Sequence, residues 1–309
     1  MNLRDFVGII RELSFSEIRH EAMIPPRVLL VATSWEQADA WRSDLFGRDA
    51  ATFVDLVTPE SGEVNPLAFD VIVSIGELDR ERSRSWVDLC RRAGEEIRLV
   101  EVDDRKPASH EHLERVRRWI CDVCRDRTVS LGRYIDEMRH AATSEIVADT
   151  SRVNAQFAAI SNVPAMIPVV GSVFAAGADF LVLTKNQLMM MYRLAAIYDR
   201  DLDDRFRIYT ELAPVVGAGL LWRTAARQIA AVLPFALGAI PKVAIAYTGT
   251  YAVGQAARLY YEHGCQLNAE EFGELYREAI SVFESARGRI AGVTEPPPEP
   301  IAAEGRSSA

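Results

Sequence analysis

Five short stretches hold residue types that do chemistry. Cys121-Asp-Val-Cys124 has the spacing of a redox pair or half of a zinc site. Redox pairs sit at the start of a helix, where the helix dipole lowers a thiol pKa. This one falls late in an amphipathic pattern, after Trp119-Ile120, and no second cysteine pair completes a zinc site. The five histidines form no metal-ligand pattern beyond His110-x-His112. That pair precedes or begins a helix, where surface histidines are ordinary. Met189-Met190-Met191 reads as adaptable packing. Asp103-Asp104 closes an apolar segment, as solvated carboxylates at a strand end do.

The fifth stretch is the turn after Arg27-Val-Leu-Leu-Val31. An apolar strand there would open a nucleotide-binding α/β domain, and a glycine-rich turn should follow it. Its backbone N–H groups would curl around phosphate, with a lysine and a hydroxyl for phosphate and magnesium. The turn is Ala32-Thr33-Ser34-Trp35, with neither glycine nor lysine. Ser34 instead stands three residues before Gln37, the spacing of a capping box. A helix start that satisfies its own N–H groups offers no anion site. The other stations are also missing. FDVIVSIGELD (69–79) has no Asp-x-x-Gly, and IRLVEVDD (97–104) offers only the two aspartates where a base-reading Asn-Lys-x-Asp would stand. The sequence therefore implies no catalytic residues, no cofactor and no metal.

These stretches depend on alternating elements. Apolar, β-branched segments at Arg27–Ala32, Thr52–Val57, Phe69–Ile75 and Ile97–Val102 predict strands. Helical spacing fills 2–22, Trp35–Phe46, Asp79–Ala93 and 109–127, and Ser14 with Glu17 predicts a cap for a short second helix in the first of these. Apolar strands without alternation predict a mostly parallel sheet covered by helices. From 130 to 287 the pattern is helical, broken at Pro164, Pro168, Pro214, Pro234 and Pro241, with a surface helix over 266–287. The tail TEPPPEPIAAEGRSSA predicts disorder. The expected organisation is an α/β domain at 1–127, an apolar helical domain at 128–290 and a tail at 291–309.

The composition of the second half bears on location. Of 309 residues, 49% are hydrophobic although 26% are charged, so the apolar residues must be concentrated somewhere. They gather in the 26 uncharged residues between Arg152 and Asp179, and in the runs 228–241 and 243–257. A spanning helix needs about 20 predominantly apolar residues. The run Val163–Leu183 contains Asp179, which is costly at depth, and the other two are individually short. A helical hairpin or insertable bundle suits them better than standard spans. Small residues recur at four-residue spacing, Ala246, Thr250 and Gly254 with Arg258 ending the row, and Gly171 with Ala175 earlier; such rows let helices approach closely. Between Ile208 and Tyr261 the charges are Arg223, Arg227, Lys242 and Arg258 against Glu211 alone, which suits an anionic membrane surface. The rival reading makes them snorkelling side chains around a soluble helical core. The net charge of −9 argues against nucleic-acid binding. Four cysteines and no signal peptide fit a reducing cytoplasm.

The segments IPVVGSVFAAGADF (167–180), ELAPVVGAGLLWRTAARQIAAVLP (211–234) and TGTYAVGQAARLYYEHG (248–264) resemble the bacterial YcjF-type family of apolar helical domains, often attached to Era-like GTPase domains. The resemblance implies inner-membrane association with the N-terminal domain in the cytoplasm, and no established activity. It makes residues 1–127 a GTPase-like domain emptied of nucleotide. The expected function is then that of a non-enzymatic, membrane-associated protein, with transmembrane helices or an insertable hairpin. It would meet the anionic bilayer and a protein partner or a second copy of itself. The alternatives are a divergent GTPase-like enzyme, a redox protein using Cys121 and Cys124, and a wholly soluble helical scaffold.

Overall fold

The structure is a computed structural model that describes residues 15–58, 61, 64–76, 98–104, 109–160, 172–204, 207–210, 240–264, 271, 273–275 and 277–283, with the backbone alone at 160, 172–181 and 240–242. The chain is mostly helical around one small parallel sheet. In chain order the elements are α1 (Ser16–Met23), β1 (Val28–Val31), α2 (Trp35–Phe46), β2 (Val54–Val57), β3 (Val71–Ile75), β4 (Leu99–Val102), α3 (His110–Val123), α4 (Thr128–Tyr134), α5 (Arg139–Ile160), α6 (Ser172–Ile197) and α7 (Ile240–His263). Further helical residues lie within 271–283. Each strand falls inside its predicted segment, and α2 has the predicted bounds. The helix expected at 79–93 and the tail lie outside the described residues, as does Ser14. The cap of α1 is Phe15, without a side-chain cap bond.

All four strands are parallel, in the order β2-β1-β3-β4, with Val28 level with Val54 and Val71. The central strands β1 and β3 are buried on both faces, which is why they lack alternation, while the edge strands β2 and β4 expose Asp55 and Glu101. Successive side chains point to opposite faces. Val28 and Leu30 enter the main core, while Leu29 and Val31 join Val57 and Ile72 in a smaller one. The main core continues without a break from the sheet through α2 and α3 into the helices after residue 128. Arg117 of α3 helps to fix α2 on the sheet. Its guanidinium donates to the carbonyls of Asp44 and Leu45, both at 2.8 Å, and so satisfies free acceptors at the end of α2.

Helix α5 is the axis of the helical part, packed on α3, α4, α6 and α7. Pro241 falls in the first turn of α7, where its missing N–H costs nothing.

One expectation is overturned: among the described residues no helix is long and apolar enough to cross a membrane. The reason lies in the side chains that a span would expose to lipid. Helix α5 carries Glu145, Asp149 and Arg152; α6 carries Asp179, Lys185 and Arg193; α7 carries Lys242 and Arg258. Met190, Met191, Leu194, Ala252 and Val253 are buried in the main core, so the transmembrane assignment is withdrawn for these helices. Most of the run 228–241 lies outside the described residues.

Candidate functional site

In open parallel sheets of this kind, ligands bind beyond the carboxyl ends of the strands, where the chain switches sides. With the order β2-β1-β3-β4, that point is between β1 and β3. It is built from Thr33 and Ser34 after β1, Gly76 after β3 and Asp104 after β4.

Three interactions close it. Ser34 Oγ accepts from the backbone N–H of Gln37 at 3.2 Å, as the sequence predicts. Gln37 Oε1 reaches past Ser34 to Thr33, taking its N–H at 2.9 Å and its hydroxyl at 2.6 Å. Gln37 Nε2 then donates to Asp104 Oδ2 at 3.1 Å. A carboxylate thus occupies the neighbourhood where a phosphate loop would hold an anion. Glu36 adds a second acid in the first turn of α2. Both repel phosphate and complement the helix dipole themselves. Gly76 has φ +73°, and a Cβ there would come within 2.5 Å of Asp104 Oδ2, so the Asp104 side chain rests directly on the Gly76 backbone. Asp104 is exposed, as the sequence predicts, but it also locks this edge.

The second place of interest is the opposite edge of the sheet, which the sequence left unmarked. Residues just before β3 and β4, together with α1, the turn 125–127 and α6, enclose an open cleft of about 610 Å³. Glu21 of α1 stands in its wall, accepting the Val129 N–H at 2.6 Å. Burial pushes the Glu21 carboxyl up to about 7, against the pull of the Val129 N–H and of Arg193. Arg127 Nε pairs with Asp70 Oδ1 at 2.9 Å, and the other oxygen of Asp70 holds the Arg27 N–H at 2.8 Å. Arg98 pairs with Asp126 at 2.7 Å. These residues are dispersed from 17 to 193, so no local spacing announces them.

Cys121 and Cys124 adjoin this region but are poor nucleophiles. Both are free thiols buried in the main core. Burial raises Cys121 well above the ordinary thiol range and pushes Cys124 up to about 12, despite the nearby Arg98. Cys124 Sγ donates to the Asp70 carbonyl at 3.6 Å. Among the described residues no group of His, Cys, Asp and Glu is arranged to hold a metal. His112 is buried rather than on the surface as expected, edge-on to Trp41 at 6.3 Å between ring centres.

The helix-packing row behaves differently along its length. Thr250 is fully buried and joins three helices. Its Oγ1 accepts from Asn154 Nδ2 of α5 at 2.9 Å and from Gln187 Nε2 of α6 at 3.1 Å, while donating to the Ala246 carbonyl at 2.8 Å. Asn186 Nδ2 completes the group by donating to Asn154 Oδ1 at 2.7 Å. Ala246 is buried beside it, and Gly254 lies one turn further along, against Val147 of α5. Arg258 pairs with Glu262 at 3.0 Å on its own helix and holds Gln255 at 2.8 Å. The backbone places Ala175 and Asp179 on α6 and Lys242 in the first turn of α7. Gly171, Arg223 and Arg227 lie outside the described residues.

Comparison of the chain with protein-family models, curated proteins and solved structures gives no match.

Proposed function

We propose that this chain acts by binding a protein partner or a second copy of itself, and that its α/β half is a nucleotide-binding scaffold that no longer holds nucleotide. The observation that carries this reading is the Gln37 side chain, spent at once on Thr33 and Asp104 across the switch point. A phosphate entering there would have to break the capping box and sit against two carboxylates. Trp35, 53% exposed as the first residue of α2, gives this closed edge a large aromatic contact surface. The resemblance to YcjF-type chains with GTPase-like domains agrees with a lost nucleotide site. The reading stands equally if the sheet descends from another doubly wound nucleotide-binding fold.

Thermal unfolding with GTP or ATP and magnesium tests it, since a ligand of the folded state must raise the Tm as its concentration grows. The expected outcome is an unchanged Tm up to millimolar nucleotide. A rise that grows with nucleotide overturns the proposal. The interaction half is tested by sedimentation of the full chain and of Trp35→Ala. Concentration-dependent self-association that the substitution weakens would identify a second copy as the partner.

A further inference from the structure

The charged side chains around the cleft at the amino ends of the strands are unevenly paired. Four arginines line it. Arg98 is matched by Asp126, and Arg127 by Asp70. Arg125 turns to Asp122 at the end of α3 and to Asp149 of α5 at 3.7 Å. Arg193 of α6 is left. It is half-buried and draws on Glu21 electrostatically, but among the described residues no ion pair within 4.0 Å joins it to a carboxylate. The acid facing it is Glu21, which is engaged by the Val129 N–H. Its guanidinium keeps its donors toward the open cleft, where a bound molecule can supply the acceptors.

The rest of the wall limits what that could be. Ile18, Ile24, Phe69 and Met189 supply apolar surface beside the guanidinium. Cavities of about 300–1,000 Å³ take ligands of ordinary metabolite size. Glu17, Asp70 and Asp126 in the same wall disfavour a polyanion. The planar fork of arginine matches the two oxygens of a carboxylate or phosphate group.

We propose that this cleft is a binding site for a small organic molecule that carries a single oxyanion group, a carboxylate or a phosphate monoester, on an apolar body, with the oxyanion seated on Arg193. Arg193 supplies the bidentate contact and Phe69 and Met189 flank the body. The carboxyl of Glu21 lies opposite, and its raised pKa leaves much of it neutral near pH 7, which lessens repulsion of an incoming anion. The site is on the sheet edge opposite the closed switch point, so it holds or fails independently of the nucleotide reading.

The test uses the full chain with four probes: benzoate, phenyl phosphate, inorganic phosphate and neutral benzyl alcohol. Calorimetric titration and thermal unfolding should show binding of benzoate or phenyl phosphate, with the stronger of the two identifying the oxyanion. Inorganic phosphate should bind more weakly because it lacks the body, and benzyl alcohol should not bind. Arg193→Gln should weaken the anion at least about tenfold, the scale of one lost charge-assisted hydrogen bond. No response to either organic anion, or an equal response in Arg193→Gln, overturns the site. Should that variant fail to fold, the wild-type chain decides by NMR. Benzoate or phenyl phosphate must shift the Arg193 Nε–H resonance first, and shifts confined to residues outside the cleft overturn the proposal.

Discussion

Gln37 Nε2 of α2 donates to Asp104 Oδ2 at the end of β4 at 3.1 Å while its Oε1 holds Thr33, so one side chain ties the turn after β1 to the far strand. Gln37→Ala removes the bonds to Thr33 and Asp104 together. The Ser34 cap remains, because its donor is the backbone N–H of residue 37, and each side-chain hydrogen bond lost costs about 0.5–1.5 kcal/mol. Urea unfolding should show a lower midpoint with an unchanged slope. Asp104→Ala should cost less, since it leaves the two bonds from Thr33 to Gln37 intact. If Gln37→Ala matches the wild type, the closed edge is not held by this residue.

Glu21 makes a second, pH-dependent prediction. Its carboxyl titrates at about 7 in the folded chain, against an ordinary value of 4.5, because burial disfavours the charge. The folded state therefore binds the proton more tightly than the unfolded one. This contribution is fully present below pH 4.5 and is lost as pH rises through about 7. Glu21→Gln keeps an acceptor for the Val129 N–H and removes the titration. Its Tm should equal the wild type near pH 4.5 and exceed it at pH 8. The gap corresponds to no more than about 3 kcal/mol, since one pKa unit is 1.36 kcal/mol. Parallel curves across that range would show that Glu21 carries no shifted pKa.

The contrast between those two residues shows what the sequence could convey. Ser34 and Gln37 are three apart, and a cap is a local interaction, so spacing alone predicts it. The central strands were legible for a related reason: burial of β1 and β3 on both faces leaves a short, almost unbroken apolar run. Glu21 meets Val129 across more than a hundred residues, and Arg193 approaches from further still, so the cleft has no signature in any window. The helices after 128 misled in another way. Lipid and protein core favour the same small and apolar residues, and the run around Thr250 reads alike in either. What separates them is pairing. Asn154, Gln187 and Thr250 bond one another inside the protein, and partners 63 and 96 residues away in sequence cannot be inferred from composition.

The Cys-x-x-Cys thiols should be inert in the folded protein. Burial raises both, so little thiolate forms below pH 9. Iodoacetamide at pH 8, followed by peptide mapping, should leave Cys121 and Cys124 almost unmodified in the native chain and label both in guanidinium chloride. Rapid native labelling of Cys124 would revive the redox reading.

Gly254 and Val147 give the sharpest check on the helical half. A Cβ at Gly254 would lie 2.6 Å from both methyl carbons of Val147, and the β-branched valine on α5 has little room to turn away. Gly254→Ala must therefore push α7 off α5, and overpacking of this kind costs about 1–3 kcal/mol. The same step would strain the bonds that Thr250, one turn earlier, makes to Asn154 and Gln187. Helix propensity acts in the opposite direction, since alanine is favoured over glycine by about 1 kcal/mol within a helix. The sign of the measured change decides which effect wins, and close packing predicts net destabilisation. Val147→Ala should lose stability alone through its cavity. Combined with Gly254→Ala it should lose less than the two separate costs together, because each change makes the space the other needs. Additive costs in that cycle would mean that α7 does not rest on α5 at this point.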